Sequence, residues 1–214
     1  MTRLTLDISM SLDGFVAGPN ATLEDPLGEG GELLHEWIVA LKSWREEHGE
    51  AGGETGVDDD VVTERVAATG AVIMGRRMFS GGEGRWEDDP NADGWWGDDP
   101  PFHVPVFVLT RHPREPVVKE GGTTFTFVTD GIEAALEEAR AAAEDRDVLL
   151  AGGASVAQQY LRVGLLDELH VHVAPVLLGG GVRLFADRDG GPLRLEPTRM
   201  LSSPAVAHLR YRVT

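Results

Sequence analysis

The sequence predicts an α/β fold of three layers, α/β/α, in which helices cover both faces of a mixed, mostly parallel sheet that has an antiparallel C-terminal strand. Three observations carry that prediction. Residues 3–10 alternate strictly, with Leu4, Leu6, Ile8 and Met10 against Arg3, Thr5, Asp7 and Ser9, as in a strand with one buried face. Short apolar runs at residues 71–74 and 148–150 end in or near glycine and lead into helical patterns, the order expected of strand, turn and helix units. At the C-terminus Ala207, Leu209, Tyr211 and Val213 alternate with Val206, His208, Arg210 and Arg212, the pattern of a closing antiparallel strand.

Between these anchors the elements follow in order. After the first strand a glycine-rich loop runs from Asp13-Gly14 through Gly18-Pro19-Asn20 to Gly31, where Leu33, Leu34, Trp37, Ile38 and Leu41 begin a helical apolar stripe. Residues 46–64 hold eight acids and no Lys or Arg, which predicts a solvated insertion whose second half is a short helix. The run Ala71-Val72-Ile73-Met74 reads as a buried strand feeding a tight turn at Gly75 and a helix. A second insertion, residues 81–101, mixes glycine, proline and acids with Trp86, Trp95 and Trp96. Aromatic residues in a polar loop dock on something. Packing on their own domain is weighed ahead of a lid over a flat ring substrate or a dimer contact. Residues 106–109 and 125–128 read as strands, 132–143 as an alanine-rich helix and 148–150 as a buried strand. A helix with Val156, Ala157, Tyr160 and Leu161 on one face comes next, then a strand in which Leu169, Val171 and Val173 alternate with His170 and His172.

A chain of 214 residues suits one domain, residues 1–214, with two acidic insertions. With 36 acidic against 19 basic side chains, the net charge of −17 repels nucleic acid and anionic membrane surfaces, and neither is an expected partner. An anionic small molecule can still bind where local arginines and backbone N–H groups outweigh that field, which salt confines to roughly 8 Å. The absence of cysteine excludes disulfides, thiolate metal sites and cysteine nucleophiles. The N-terminus has no apolar signal core and no apolar run approaches the ~20 residues of a membrane span, so a cytoplasmic protein is expected.

Three strand ends offer groups for a phosphate. At Ala151-Gly152-Gly153-Ala154-Ser155, glycines after a strand allow close backbone approach, and the free N–H groups of the following helix suit a phosphate or pyrophosphate; a plain tight turn for helix–sheet packing is the equal alternative. At Met74-Gly75-Arg76-Arg77 glycine again frees the backbone, and a guanidinium can bind phosphate through paired, charge-assisted hydrogen bonds. Thr110-Arg111 closes a third strand. Ligands of open α/β sheets bind at the carboxyl ends of strands, so the shared placement counts for more than any one arginine. His170 and His172 would share one face of a strand. A solvated or dimer-facing surface is preferred there to a metal site because no third ligand is evident by spacing, and no metal is predicted.

Taken in order, these motifs resemble the dihydrofolate reductase superfamily. The resemblance runs through Ser11-Leu12-Asp13-Gly14-Phe15-Val16-Ala17, Val72-Ile73-Met74-Gly75-Arg76-Arg77, Val108-Leu109-Thr110-Arg111 and Ala151-Gly152-Gly153-Ala154-Ser155. It continues through Gly164-Leu165-Leu166-Asp167-Glu168-Leu169 and Pro175-Val176-Leu177-Leu178-Gly179-Gly180-Gly181, which are especially similar to the riboflavin-biosynthesis reductase branch. It covers most of the chain apart from the acidic insertions.

The resemblance implies a dihydrofolate reductase-like fold and an NADPH-dependent reductase acting on a planar heterocycle, a pteridine or an aminouracil, as a homodimer. It implies the pyrophosphate over Gly152 and Gly153, a cis peptide between them, and the 2′-phosphate near Arg76 or Arg77 and Thr110-Arg111. Hydride transfer relies on positioning more than on a protein nucleophile. The proton has candidate donors in Asp13 and Glu36, with a turn carboxylate and a solvated helix face as the respective alternatives. Riboflavin-type reductases typically carry a substrate-binding Glu at the end of the strand before the glycines; this chain has Ala151 there. Two other classes stay open: a non-catalytic NADPH-binding or regulatory protein, and a sugar- or nucleotide-phosphate binding module.

Overall fold

The computed structural model describes residues 2–185 and 191–214. In chain order the strands are β1 (Leu4–Ser11), β2 (Phe15–Ala17), β3 (Thr69–Gly75), β4 (Pro105–Leu109), β5 (Val117–Val118), β6 (Thr124–Val128), β7 (Asp147–Gly152), β8 (Glu168–Ala174), β9 (Val182–Arg183), β10 (Leu195–Ser202) and β11 (Ala207–Val213). The α-helices are α1 (Glu36–Val39), α2 (Lys42–Glu47), α3 (Val57–Ala68), α4 (Arg76–Ser80), α5 (Ile132–Ala143) and α6 (Ala154–Arg162). The chain divides into two compact units, one holding the residues up to Leu6 with Thr69–Leu166, the other Asp7–Ala68 with the residues from Asp167 onward.

In the first unit the strands lie in the order β1-β7-β3-β4-β6-β5, and all neighbours are parallel except the short β5, which runs antiparallel to β6. All seven residues of β3 are buried, as expected of a central parallel strand covered on both faces. One face carries Val72, Met74, Val106, Val108 and Phe125, with Phe79 of α4 among them. Trp86, Trp96 and Phe102 pack against this cluster, so the tryptophan-rich insertion folds back on its own unit. The strand residues that alternate with these face α5 and α6, whose Ala135, Leu136, Ala139, Val156, Ala157 and Tyr160 are buried. Tyr160 also donates a 2.7 Å hydrogen bond to the carbonyl of Ile132, tying the two helices together.

In the second unit the order is β10-β11-β8-β1, with β11 antiparallel to both neighbours, and β2 and β9 form a separate antiparallel ribbon. The predicted stripe at residues 33–41 is broken into a 3₁₀ turn at Gly31–Leu34 and the four-residue α1, yet its Leu34, Trp37, Ile38 and Leu41 are buried as the pattern requires.

One sequence expectation is narrowed here and a second is corrected, and both changes share one cause. Residues 46–64 are mostly exposed and their second half is the helix α3, as the composition predicts, but α3 also buries Asp58, Val61 and Val62. The face of β8 bearing His170 and His172 was expected to meet solvent or a partner, yet His172 is buried, and so is His208 on β11. The helix read as an insertion supplies Asp58 and Arg65 to the polar cluster that holds these histidines, so the acids meant solvation only in the absence of a partner. Strands β2, β9 and β10 had no signal: two are three residues or fewer, and β10 is exposed along nearly its whole length, which leaves no alternation to read. Among the described residues, no helix is long and apolar enough to cross a membrane.

Candidate functional site

Four parallel strands of the first unit end side by side. Met74 pairs with Gly152, Gly75 with Leu109, and Leu109 with Val128, and the Thr110 N–H donates to the Val128 carbonyl at 3.1 Å. The three predicted phosphate-binding turns therefore lie along one edge.

The two glycine turns touch. A Cβ built on Gly75 would sit 2.9 Å from Val156 Cγ2 and 3.8 Å from the Gly153 nitrogen, so only glycine lets the β3 tip approach the start of α6 this closely. On Gly153 a Cβ would meet nothing within 4 Å, which leaves the backbone there open. The peptide between Gly152 and Gly153 is cis. Gly153 caps α6, its carbonyl accepting from the Val156 and Ala157 N–H groups at 3.1 Å each. The N–H groups of a first helical turn have no intrahelical acceptor and form a partial positive charge. Ser155 is exposed beside them, while Ala151 is packed against the apolar cluster and can offer a ligand only its backbone.

The adjacent arginines differ sharply. Arg77 is exposed and pairs with the equally exposed Glu83 at 2.9 Å. Arg76 is buried, pairs through Nη2 with Asp89, and lies with its guanidinium carbon 3.6 Å over the Trp86 ring. Asp89 is held further by Ser80 Oγ at 2.8 Å and by the Asn91 N–H at 2.9 Å. Burial works against ionisation of Asp89, but the bonds from Ser80, Arg76 and the Asn91 N–H outweigh it and keep its pKa below the usual carboxylate value. Arg76 thus pairs with the protein's own carboxylate through Nη2 while its buried Nε and Nη1 have no hydrogen-bond partner, whereas Arg77 and Arg111 present their guanidinium groups at the surface. Trp86 is fixed in turn by a 2.7 Å hydrogen bond to the His112 carbonyl and by Arg114, 4.7 Å over its ring. Nothing in the sequence singled out Asp89 among the acids of its insertion.

Of the two candidate proton donors, both in the second unit, Asp13 is occupied. Its Oδ1 accepts from the Leu178 N–H at 3.1 Å and its Oδ2 from the Gly179 N–H at 2.7 Å, while Arg183 donates to its carbonyl at 3.1 Å. A hydrogen bond from Ser11 and those backbone donors, partly opposed by desolvation, hold its pKa below the usual value. An ionised carboxylate with both oxygens accepting is an anchor for the 176–181 segment and a poor acid. Glu36 is exposed at the start of α1. Among the described residues, no group of three or more His, Asp or Glu is arranged to hold a metal ion.

A model of the RibD C-terminal domain matches residues 2–208. The chain is similar to the uncharacterised protein YyaP of Bacillus subtilis, 25% identical over 95% of this chain and 92% of that protein. It is also similar to the riboflavin biosynthesis protein RibD of Mycobacterium tuberculosis, 33% identical over 47% of this chain and 30% of that protein. This chain therefore spans well under two thirds of RibD's length. Among solved structures, a putative riboflavin biosynthesis protein from Shewanella sp. PV-4 shares the fold with a TM-score of 0.64, at 20% identity and with 100% and 99% of the two chains covered.

Proposed function

The chain belongs to the RibD C-terminal domain family, and from that premise we propose that it is an NADPH-dependent reductase delivering hydride to a planar nitrogen heterocycle, a pteridine or an aminouracil-like ring. The observation that carries the proposal is the open backbone of Gly153 at the head of α6, pressed against the Gly75 turn with no side chain intervening. That cradle fits a pyrophosphate: the N–H groups of Gly153, Ala154 and Ser155 would bind it and the helix end would favour its charge. Thr110 and the exposed Arg77 and Arg111 would hold the 2′-phosphate through charge-assisted bonds, which is the basis for choosing NADPH over NADH. Arg76, paired through Nη2 with Asp89, would instead fix the insertion beside the site. The bound nicotinamide supplies the hydride. With Asp13 serving as an anchor, we assign the proton that completes reduction to solvent. A homodimer is proposed with this activity, on the resemblance to riboflavin-type reductases.

A second reading, a non-catalytic NADPH-binding protein, is favoured by one observation: the position where riboflavin-type reductases typically carry a substrate-binding Glu holds the apolar, packed Ala151, and the candidate donor Asp13 is anchored. Both readings are tested by titrating NADPH and NADH against tryptophan fluorescence, then following NADPH oxidation with dihydrofolate, biopterin and aminouracil substrates. No binding of either nucleotide would overturn both readings. Binding without oxidation would leave the second.

A further inference from the structure

A chain of buried ionisable groups crosses the second unit, apart from the proposed cofactor site. Asp7 of β1 accepts from Arg65 Nη1 of α3 at 2.9 Å, and its other carboxylate oxygen, which has no hydrogen-bond partner, lies at an ion-pair distance of 3.1 Å from His172 Nε2 of β8. His172 Nδ1 is 2.7 Å from His208 Nδ1 of β11, and His208 Nε2 is 2.9 Å from an Asp58 oxygen of α3. The Asp7, His172 and His208 side chains are 4%, 4% and 2% exposed. The Trp37 ring closes over both imidazoles, 5.0 and 5.2 Å away, and donates its own N–H to Ser9.

These contacts fix how many protons the two rings hold. A ring nitrogen that faces a carboxylate oxygen must carry hydrogen, because two lone pairs would otherwise oppose each other without solvent. The contact between the two Nδ1 atoms must hold a single hydrogen, since none leaves facing lone pairs and two leave facing N–H groups. The His208–Asp58 and Nδ1–Nδ1 hydrogen bonds take two ring hydrogens, and a third on His172 Nε2 completes the 3.1 Å ion pair with the otherwise unpartnered Asp7 Oδ2, one more than two neutral imidazoles possess.

The surroundings decide which ring is charged. His172 faces Asp7, whose carboxylate is drawn well below the usual range by His172 and Arg65 although burial opposes this. For His208, burial disfavours the cation and repulsion from His172 adds to it, against the bond to Asp58. Around the chain, His170 of β8 lies 3.8 Å from Asp7 and 3.1 Å from Glu168, while Arg210 of β11 and Arg199 of β10 pair with Glu64 of α3. Arg65 and one imidazolium balance Asp7 and Asp58.

We propose that His172 is a buried imidazolium that forms an ion pair with Asp7 and donates to a neutral His208, and that this proton clamps α3 onto β1, β8 and β11. The clamp is a proton-sensitive device: a second proton forces the two Nδ1–H groups together, and loss of the first leaves one carboxylate facing a bare nitrogen.

The direct test is ¹⁵N-histidine labelling of the full chain with long-range ¹H–¹⁵N correlation of the ring nitrogens at pH 7. His172 should show two protonated nitrogens and His208 a protonated Nε2 with an acceptor Nδ1. Two neutral rings, or two imidazolium rings, would overturn the proposal. H208Q and H172Q assign the signals and test the asymmetry. Glutamine at position 208 can donate to Asp58 and accept from His172, so H208Q should keep the thermal midpoint at pH 7 and lose part of the destabilisation seen below about pH 6.5. H172Q removes the cation beside Asp7 and should lower the midpoint at pH 7. Equal losses at pH 7 from the two variants would contradict the assignment of the charge to His172.

Discussion

The guanidinium of Arg76 and the carboxylate of Asp89 form an ion pair at the first residue after the β3 tip, with side chains 6% and 3% exposed. Arg76 and Arg77 are neighbours of one residue type, and burial alone separates the structural role of Arg76 from the ligand-binding role proposed for Arg77.

Asp89→Ala leaves a buried guanidinium with no counter-charge and should destabilise the protein by about 3–5 kcal/mol. Replacing both partners, as R76M/D89L, should recover much of that loss, because the desolvation of two charges disappears with them. Chemical denaturation of the two variants checks this. A single-site loss under 1 kcal/mol would show that the pair is not closed to water.

Arg77→Ala and Arg111→Ala should each weaken NADPH by about tenfold or more, roughly 1.4 kcal/mol, while changing NADH little. Both side chains are exposed, so their removal should leave the unfolding midpoints at the wild-type value and any difference in affinity reports binding. Fluorescence titration with both nucleotides decides it: parallel losses for the two cofactors would exclude the 2′-phosphate role.

The two glycine turns should respond oppositely to alanine. At Gly75 the new methyl would lie 2.9 Å from Val156 Cγ2, so Gly75→Ala forces β3 and α6 apart and should reduce stability by about 1–3 kcal/mol. At Gly153 the methyl enters open space, so Gly153→Ala should fold normally yet crowd the N–H groups at the head of α6 and weaken both nucleotides. Melting curves paired with nucleotide titrations separate these effects.

Acid should act on the protein well above the carboxylate range. His208, His170 and His35 all have pKa values lowered chiefly by burial. The unfolded chain therefore takes up more protons than the folded one once the pH falls below about 6.5, and stability drops as the pH falls toward the lowered folded values. Asp7 is lowered too, so its contribution persists above its ordinary value and is lost only at still lower pH. Thermal midpoints measured from pH 8 to pH 4 should decline from about pH 6.5 downward; a flat profile to pH 5 would contradict burial of these rings.

Periodicity and punctuation in the sequence alone determined most of the α/β framework. The alternation of β1, the closed apolar run of β3, α5 at residues 132–143 and the glycine-headed α6 were all readable, because each is written in neighbouring residues that share one face. The same local logic placed glycines and arginines at the strand ends that the parallel sheet then lined up. Tertiary structure decided what each polar residue faces. Arg76 finds Asp89 across a loop, His172 finds His208 36 residues away on a neighbouring strand, and Asp13 closes on Leu178 and Gly179 from 165 and 166 residues away. Apolar burial is non-directional and leaves its trace in the local pattern of residues. A charge or hydrogen bond is satisfied by one partner at one distance, and that partner's place in the sequence is set only by how the chain returns.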